Sequence, residues 1–292
     1  MKKKEELSNK DRCPIAVIIL THNEELSVSN AVNSVIQWAE QVFILDSYST
    51  DKTVKIVQAL GAKVFKNKFK SFTEQRNWAL KNLPVKCEWV LFLDADEYLS
   101  EEIKKEISGV FEKELCNISG FYSDIKFIFL GKWLKHGDIY RSLVRIFKIK
   151  NGKYIKTTGC REKLIIEGKL KKLKNHIVHD DKKSIIEWVI EQKERIVLDA
   201  EERYKEKNKH KLKKADKKGT VEGKKSQWMR ENILMRLPGP VRPFAQFLYR
   251  YIFRFGFLDG WKGFIYHFLL QLWYPVMVEV LYLEMSIKNK KK

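Results

Sequence analysis

The chain of 292 residues holds four cysteines, Cys13, Cys87, Cys116 and Cys160, and none forms a CxxC pair with another. A zinc knuckle or redox dithiol is disfavoured by that spacing, and free thiols in a reducing compartment are expected. Glycine (14 residues) and proline (6) are sparse, which excludes a collagenous or mainly disordered chain. No GxxxxGK[ST] loop occurs, and no GxGxxG opens a helix after the first apolar run, so P-loop NTPase and dinucleotide-dehydrogenase readings lose support. The apolar run Ile15 to Leu20, behind the basic start MKKKEELSNKDR, is too short for a signal-peptide core, so export is not expected and the cytosol is the default. The longest charge-free run near the end, Gly263 to Val278, contains His267, Gln271 and Pro275. It falls short of the roughly 20 apolar residues a spanning helix requires.

Positive charge is abundant. Fifty-seven Lys and Arg against 37 Asp and Glu leave a net charge of +20, which attracts anionic partners: nucleic acid, an acidic membrane surface or phosphorylated substrates. With 44% hydrophobic residues, the chain has ample material for a core without metal or disulfide staples.

The first hundred residues alternate short apolar runs with amphipathic stretches, the pattern of βαβ units and an α/β fold. Strands are expected at Ile15 to Leu20, Val42 to Leu45, Ala62 to Phe65 and Trp89 to Leu93. Helices are expected between them, the first capped by Asn23, the second capped by Ser49, Thr50 and Asp51 and stopped by Gly61, the third around Thr73 to Lys81. Another helix opens near Ser100. The middle third reads as β-rich, with a strand at Phe121 to Leu130, a hairpin turning at Asn151-Gly152 and a further turn at Glu167-Gly168.

Carboxylates fall where strands end: Glu24 after the first, Asp46 after the second, Asp94 and Asp96 after the fourth. Open α/β sheets bind ligands outside the carboxyl ends of their strands, so one crevice would collect all of these. Hard oxygen donors of the Asp94-x-Asp96 kind suit Mg²⁺ or Mn²⁺ carrying a diphosphate.

Four ordered motifs then carry a resemblance: Ile18-Ile19-Leu20-Thr21-His22-Asn23-Glu24-Glu25, Ile44-Leu45-Asp46-Ser47-Tyr48-Ser49-Thr50-Asp51, Gln75-Arg76-Asn77-Trp78-Ala79-Leu80 and Leu91-Phe92-Leu93-Asp94-Ala95-Asp96-Glu97. In order and spacing they resemble the inverting nucleotide-sugar glycosyltransferases of family two. Gly131-Lys132-Trp133-Leu134-Lys135-His136-Gly137, Arg145-Ile146-Phe147 and Phe257-Leu258-Asp259-Gly260 are similar to the lipopolysaccharide-core β-1,4-glucosyltransferase branch. The resemblance implies a GT-A, Rossmann-like α/β domain, a UDP-sugar donor and Mn²⁺ or Mg²⁺. It places Thr21 and Glu24 along the uridine pocket with Asn23, Ser49 and Asp51, Asp46 against the base, Arg76 near the nucleotide, Asp94 at the ribose beside Ala95, and Asp96 on the metal with His179. Inversion needs one general base to deprotonate the acceptor hydroxyl. Where the branch shows Val-His-Glu this chain has Cys160-Arg161-Glu162, so Glu162 is the expected base, with Asp138 as alternative and Arg161 open to an acceptor phosphate.

The expected organisation is a basic tail over 1–12, a catalytic domain over 13–183, a helix and Lys-rich linker over 184–227, and an amphipathic aromatic and basic helical region over 228–292. Cations beside aromatic rings in that last region suit a helix lying in the headgroup layer. The expected enzyme moves a hexose, glucose from UDP-glucose, onto a lipopolysaccharide-core or other lipid-linked glycan at the inner face of the cytoplasmic membrane. A protein, peptide or polyprenyl-linked acceptor is the competing reading. Nucleic acid is not an expected partner, because the aromatic residues lie away from the densest lysines; an oligomer stays open.

Overall fold

Strand β1 (Cys13–Thr21) buries nearly its whole length, and its alternate residues serve opposite layers, as the two-residue period of a strand dictates. Ile15, Val17 and Ile19 join one core with Ile44, Leu91 and Leu93. Ala16 and Ile18 join another with Phe43, Leu45, Val90 and Phe92. Burial on both faces explains why β1, β2 (Ala39–Asp46) and β4 (Trp89–Asp94) read as unbroken apolar runs. They pair in parallel, with β3 (Lys63–Lys66) parallel to β2 on the outside.

The computed structural model describes residues 12–112, 115, 117–139, 142–156, 162–208 and 237–290. The main sheet runs β3-β2-β1-β4-β8-β6-β12-β5, with β11 (Lys169–Lys172) and β7 (Lys132–Trp133) paired to β6. Here β5 is Glu97–Leu99, β6 Ile118–Phe129, β8 Ser142–Lys148 and β12 Ile177–Asp180. Strand β8 runs antiparallel to both β4 and β6, so the sheet is mixed. Helix α1 (Val28–Val35) buries Val28, Ala31, Val32 and Val35, the i, i+3, i+4, i+7 stripe of a helix laid on a sheet. Helix α2 (Thr53–Ala59) ends before Gly61, whose φ of +84° closes the turn into β3. In α3 (Phe72–Asn82) the Ser71 side chain accepts from the Glu74 N–H at 3.2 Å. Helix α4 (Glu101–Phe111) follows β5 and buries Ile103 and Ile107.

Two local expectations are corrected. Asn23 does not cap α1, whose cap position is Ser27. Asn23 takes a φ of +54° and its side chain accepts from the Thr50 N–H at 2.8 Å, a competing local bond that Asn makes readily. The Asn151-Gly152 hairpin also does not form. A short 3₁₀ turn, Ile149–Asn151, separates β8 from β9 (Gly152–Lys156), which pairs instead with β10 (Glu162–Ile166) in a two-stranded sheet. Asn77 holds Tyr154 from both sides, donating to its carbonyl at 2.8 Å and accepting from its N–H at 3.1 Å. The Tyr154 ring then lies against Phe92 and Phe147. The aromatic core, not the turn, decides where β9 goes.

Two compact units emerge: Met1–Lys126 with Arg141–Ile155 and Lys163–Lys182, and Phe127–Tyr140 with Lys156–Glu162 and Lys183–Lys292. In the second, helix α5 (Ile185–Asn208) packs Ile196 and Ala200 against Val278 of helix α8 (Tyr274–Lys290). Tyr274 donates to Asp199 at 2.8 Å, and Arg203 pairs with Glu279. Helix α6 (Arg242–Leu248), a π turn Tyr249–Phe253, a 3₁₀ turn Gly256–Asp259, helix α7 (Gly260–His267) and a second π turn Phe268–Trp273 complete it. The buried Asp259 carboxylate accepts from the Lys135 N–H at 2.9 Å and the His136 N–H at 2.8 Å, and meets His136 Nδ1 at 3.0 Å. One acid at the start of α7 thus fixes the loop carrying Gly137, where any side chain would collide with His267. Residues 1–11, Cys116, Cys160, Arg161, most of the Lys-rich linker and Trp228 to Arg236 lie outside the described residues.

Candidate active site

The register of the parallel strands sets the rim. Thr21 stands opposite Asp46, and Leu20 opposite Asp94, so the carboxyl ends of β1, β2 and β4 share one edge, where such sheets take their ligands. Asp46 is fully buried there. Its Oδ1 accepts from Thr21 Oγ1 at 3.0 Å and from Ser49 Oγ at 2.5 Å, and its Oδ2 from the Ser49 N–H at 2.9 Å. The loops after β1 and β2 are stitched together: the N–H groups of Asn23, Glu24 and Glu25 donate to Ser49, Thr53 and Asp51. Asp51 also accepts from the Thr53 N–H; burial opposes its charge, but these hydrogen bonds prevail and hold its carboxyl below the usual range. Thr21, Asn23, Glu24, Asp46, Ser49 and Asp51 are therefore brought together, largely by bonding one another.

At the end of β4 the acids meet cations. Arg76, on α3 and 4% exposed, donates to Asp94 Oδ1 at 2.7 Å, its guanidinium 5.4 Å from the centre of the Tyr154 ring. From β8 a second arginine arrives: Arg145 donates to Asp94 Oδ2 at 2.6 Å and also to Glu97. Burial by itself would raise the Asp94 pKa, but Arg145 and Arg76 outweigh it and hold the carboxyl well below its ordinary value. Glu97 goes the other way. Burial raises it to about 7, against the pull of Arg145 and with a further push from Asp94 and Asp96. Arg145 stays protonated, since the two acids more than offset its burial.

The pairing of β12 with β5 sets His179 opposite Glu97 and brings its Nδ1 to 3.3 Å from Asp96 Oδ1. Burial would lower the His179 pKa, but Asp96 first and Glu97 next raise it to about 9. That Asp96 oxygen is buried and meets no other hydrogen-bond partner among the described residues. No cluster of three or more His, Cys, Asp or Glu able to hold a metal exists among the described residues. Asp96 and His179 are two donors only, short of a closed metal site; an ion held there would have to fill its shell with phosphate oxygens and water.

This strand-end geometry is matched by a family-level similarity: residues 16–165 agree with Glycosyl transferase family 2. The chain belongs to that family. Its GT-A-like α/β sheet and the apolar C-terminal helix agree with the sequence reading. The chain is 40% identical over 100 residues to an uncharacterized glycosyltransferase of Rickettsia bellii, covering 34% of this chain and 33% of that one. It is 31% identical over 143 residues to the SPbeta prophage-derived glycosyltransferase SunS of Bacillus subtilis, covering 46% of this chain and 31% of that protein. The chain thus spans about a third of the length of these curated relatives. A solved structure of glucosyl-3-phosphoglycerate synthase from Mycobacterium tuberculosis, with Mn²⁺ and UDP, aligns over 38% of this chain and 43% of that one at 21% identity and a TM-score of 0.32.

The two residues expected from the sequence as general base both belong to the second unit. Glu162 is half-buried at the start of β10. Asp138 takes a φ of +61° and pairs with Arg254 at 3.1 Å. Ala95, between the two aspartates, is buried and presents only backbone. Arg145, read from the sequence only as part of Arg145-Ile146-Phe147, is brought by the fold to Asp94 and Glu97. Its signal was a lone cation in the apolar strand Leu143-Val144-Arg145-Ile146-Phe147, a position that requires an acidic partner inside the fold.

Proposed function

We propose that this family member is an inverting, metal-dependent hexosyltransferase that takes glucose from UDP-glucose and delivers it to a lipopolysaccharide-core or related lipid-linked glycan at the inner face of the cytoplasmic membrane. The observation that carries the donor half is the in-register convergence of Thr21, Asp46 and Asp94 at one sheet edge, next to Asp96, whose buried Oδ1 meets His179 at 3.3 Å. Asp94, held ionised by two guanidiniums, accepts from a ribose hydroxyl without reorganising. Asp46 orients the uridine end through Thr21 and Ser49. Asp96 and His179 would hold Mn²⁺ or Mg²⁺, whose charge would neutralise a diphosphate leaving group. Glu162 removes the proton of the acceptor hydroxyl as it attacks the anomeric carbon from the face opposite the nucleotide, with Asp138 as the competing base. The lipid-linked acceptor rests on the branch motifs and on the aromatic, basic C-terminal region.

A panel of UDP- and other nucleotide-sugars, assayed for hydrolysis with and without Mn²⁺ on wild type and Asp96→Ala, tests the reading. Metal-dependent preference for a UDP-hexose, lowered by about 100-fold or more in Asp96→Ala, is expected. Equal turnover with and without metal, or no nucleotide-sugar preference, would reject it.

A further inference from the structure

Between Val241 and Phe268 the second unit exposes eleven large apolar side chains. Phe253 is 70% exposed, Trp261 64%, Phe255 56% and Leu258 55%. Isolated exposed apolar residues are ordinary, but a run of this density is not. The aromatic rings of this stretch pack among themselves, with Phe247 stacked on Tyr251 and Phe264 on Phe268, so their free edges are braced. Charge is equally one-sided. From Asn232 to Val278 the sequence has Arg236, Arg242, Arg250, Arg254 and Lys262 but a single acid, Asp259. That acid is 2% exposed and spent on Lys135 and His136. The stretch therefore offers apolar rings and an excess of cations, with Asp138 meeting one of them, Arg254, at 3.1 Å.

The helical run Gly256–Lys288 is long and apolar enough by composition to cross a membrane, yet its packing opposes crossing. Glu279 pairs with Arg203 and Tyr274 bonds Asp199, both partners lying on α5. Helix α5 carries Glu191, Lys193, Glu194, Arg195, Glu201 and Glu202 besides. A spanning α8 would have to strip those contacts or draw a highly charged helix into hydrocarbon, where each charge costs several kcal/mol.

We infer that the face formed by α6, the two turns after it and α7 is an interfacial docking surface for an anionic bilayer, entered by Phe253, Phe255, Leu258 and Trp261 to headgroup depth and not crossed. The inference gives the proposed lipid-linked acceptor its membrane partner, while its evidence lies wholly in the second unit. Rings and cations on one face supply the two signals that stable peripheral attachment needs.

The test uses the full chain and vesicles of phosphatidylcholine alone or with 30% phosphatidylglycerol (about one lipid in three anionic, the regime in which cations add to apolar burial). Co-sedimentation with the anionic vesicles, weakened at least about tenfold by high salt or by omitting phosphatidylglycerol, is expected. Release of the bound protein by alkaline carbonate is the second expected result; resistance to carbonate would overturn the non-crossing geometry. F253S/W261S should lose about tenfold or more in vesicle binding while keeping the wild-type UDP-sugar hydrolysis rate. Because the lipid and salt series uses wild type alone, it decides the matter even where the double variant misfolds. Wild-type binding indifferent to lipid charge, or a lipid-free dimer that F253S/W261S dissociates, would overturn the inference and make the face a contact between copies. Hydrolysis reads the donor site separately, so wild type that hydrolyses UDP-sugars without binding anionic vesicles sinks only this surface, and wild type that binds the vesicles without hydrolysing sinks only the enzymatic reading.

Discussion

Arg145 shows how much one buried cation decides. It reaches from β8 to both Asp94 and Glu97, which the β4 to β5 turn already holds together through the Asp94 N–H donating to Glu97 at 3.2 Å. Removing one partner of a buried ionic cluster leaves the others uncompensated, which costs roughly 3–5 kcal/mol. Arg145→Leu is accordingly expected to lose that much stability in urea unfolding. Adding Glu97→Gln to Arg145→Leu should recover at least about 1 kcal/mol, because the buried carboxyl left without its Arg145 partner is replaced by an amide. Strictly additive losses in the double variant would show that Arg145 and Glu97 do not act as a unit. The sequence marked Arg145 only as part of an Arg-Ile-Phe motif. Its role depends on β8 inserting beside β4, a pairing of residues 51 positions apart that no local pattern announces.

At the scale of elements, the parallel strands were legible because two-sided burial writes itself as runs such as Ile15-Ala16-Val17-Ile18-Ile19. The strand-end acids were legible for the same reason, since a charged residue terminating such a run must lie at the sheet edge. What escaped were partnerships set by packing. Tyr154 and Asn77 drew β9 away from β8, and short β5 brought His179 to Asp96 across more than 80 positions. Helix α7 supplies a prediction of its own. His267 is fully buried beside Gly137 and Gly256; burial, then Arg250, push its pKa down to about 4, against a weaker pull from Asp259. Since the folded value lies below the ordinary 6.5, protonation favours the unfolded chain. Stability from this source is whole above pH 6.5 and is lost as pH falls toward 4. A thermal melting midpoint that declines over that window in wild type, and declines less in His267→Leu, is the expected outcome. Parallel curves for the two proteins would place the acid sensitivity elsewhere.

For the whole molecule, the excess of 20 positive charges acquires a distribution. At the carboxyl ends of the parallel strands the cations are matched: Arg76 and Arg145 against Asp94 and Glu97, His179 against Asp96. From Val241 to Phe268 they outnumber the acids, four Arg and Lys against Asp259 alone in that stretch of sequence. Such an arrangement suits an enzyme that binds a small anionic donor with precision in one unit and an extended anionic surface with the other. The first half rests on the carboxylate rim, and the most direct probe is Mn²⁺ itself. Free Mn²⁺ followed by electron paramagnetic resonance should fall only slightly on adding the protein, fall strongly when UDP is then added, and show neither change with Asp96→Asn. UDP-linked Mn²⁺ uptake that persists undiminished in Asp96→Asn would contradict a donor site at the end of β4.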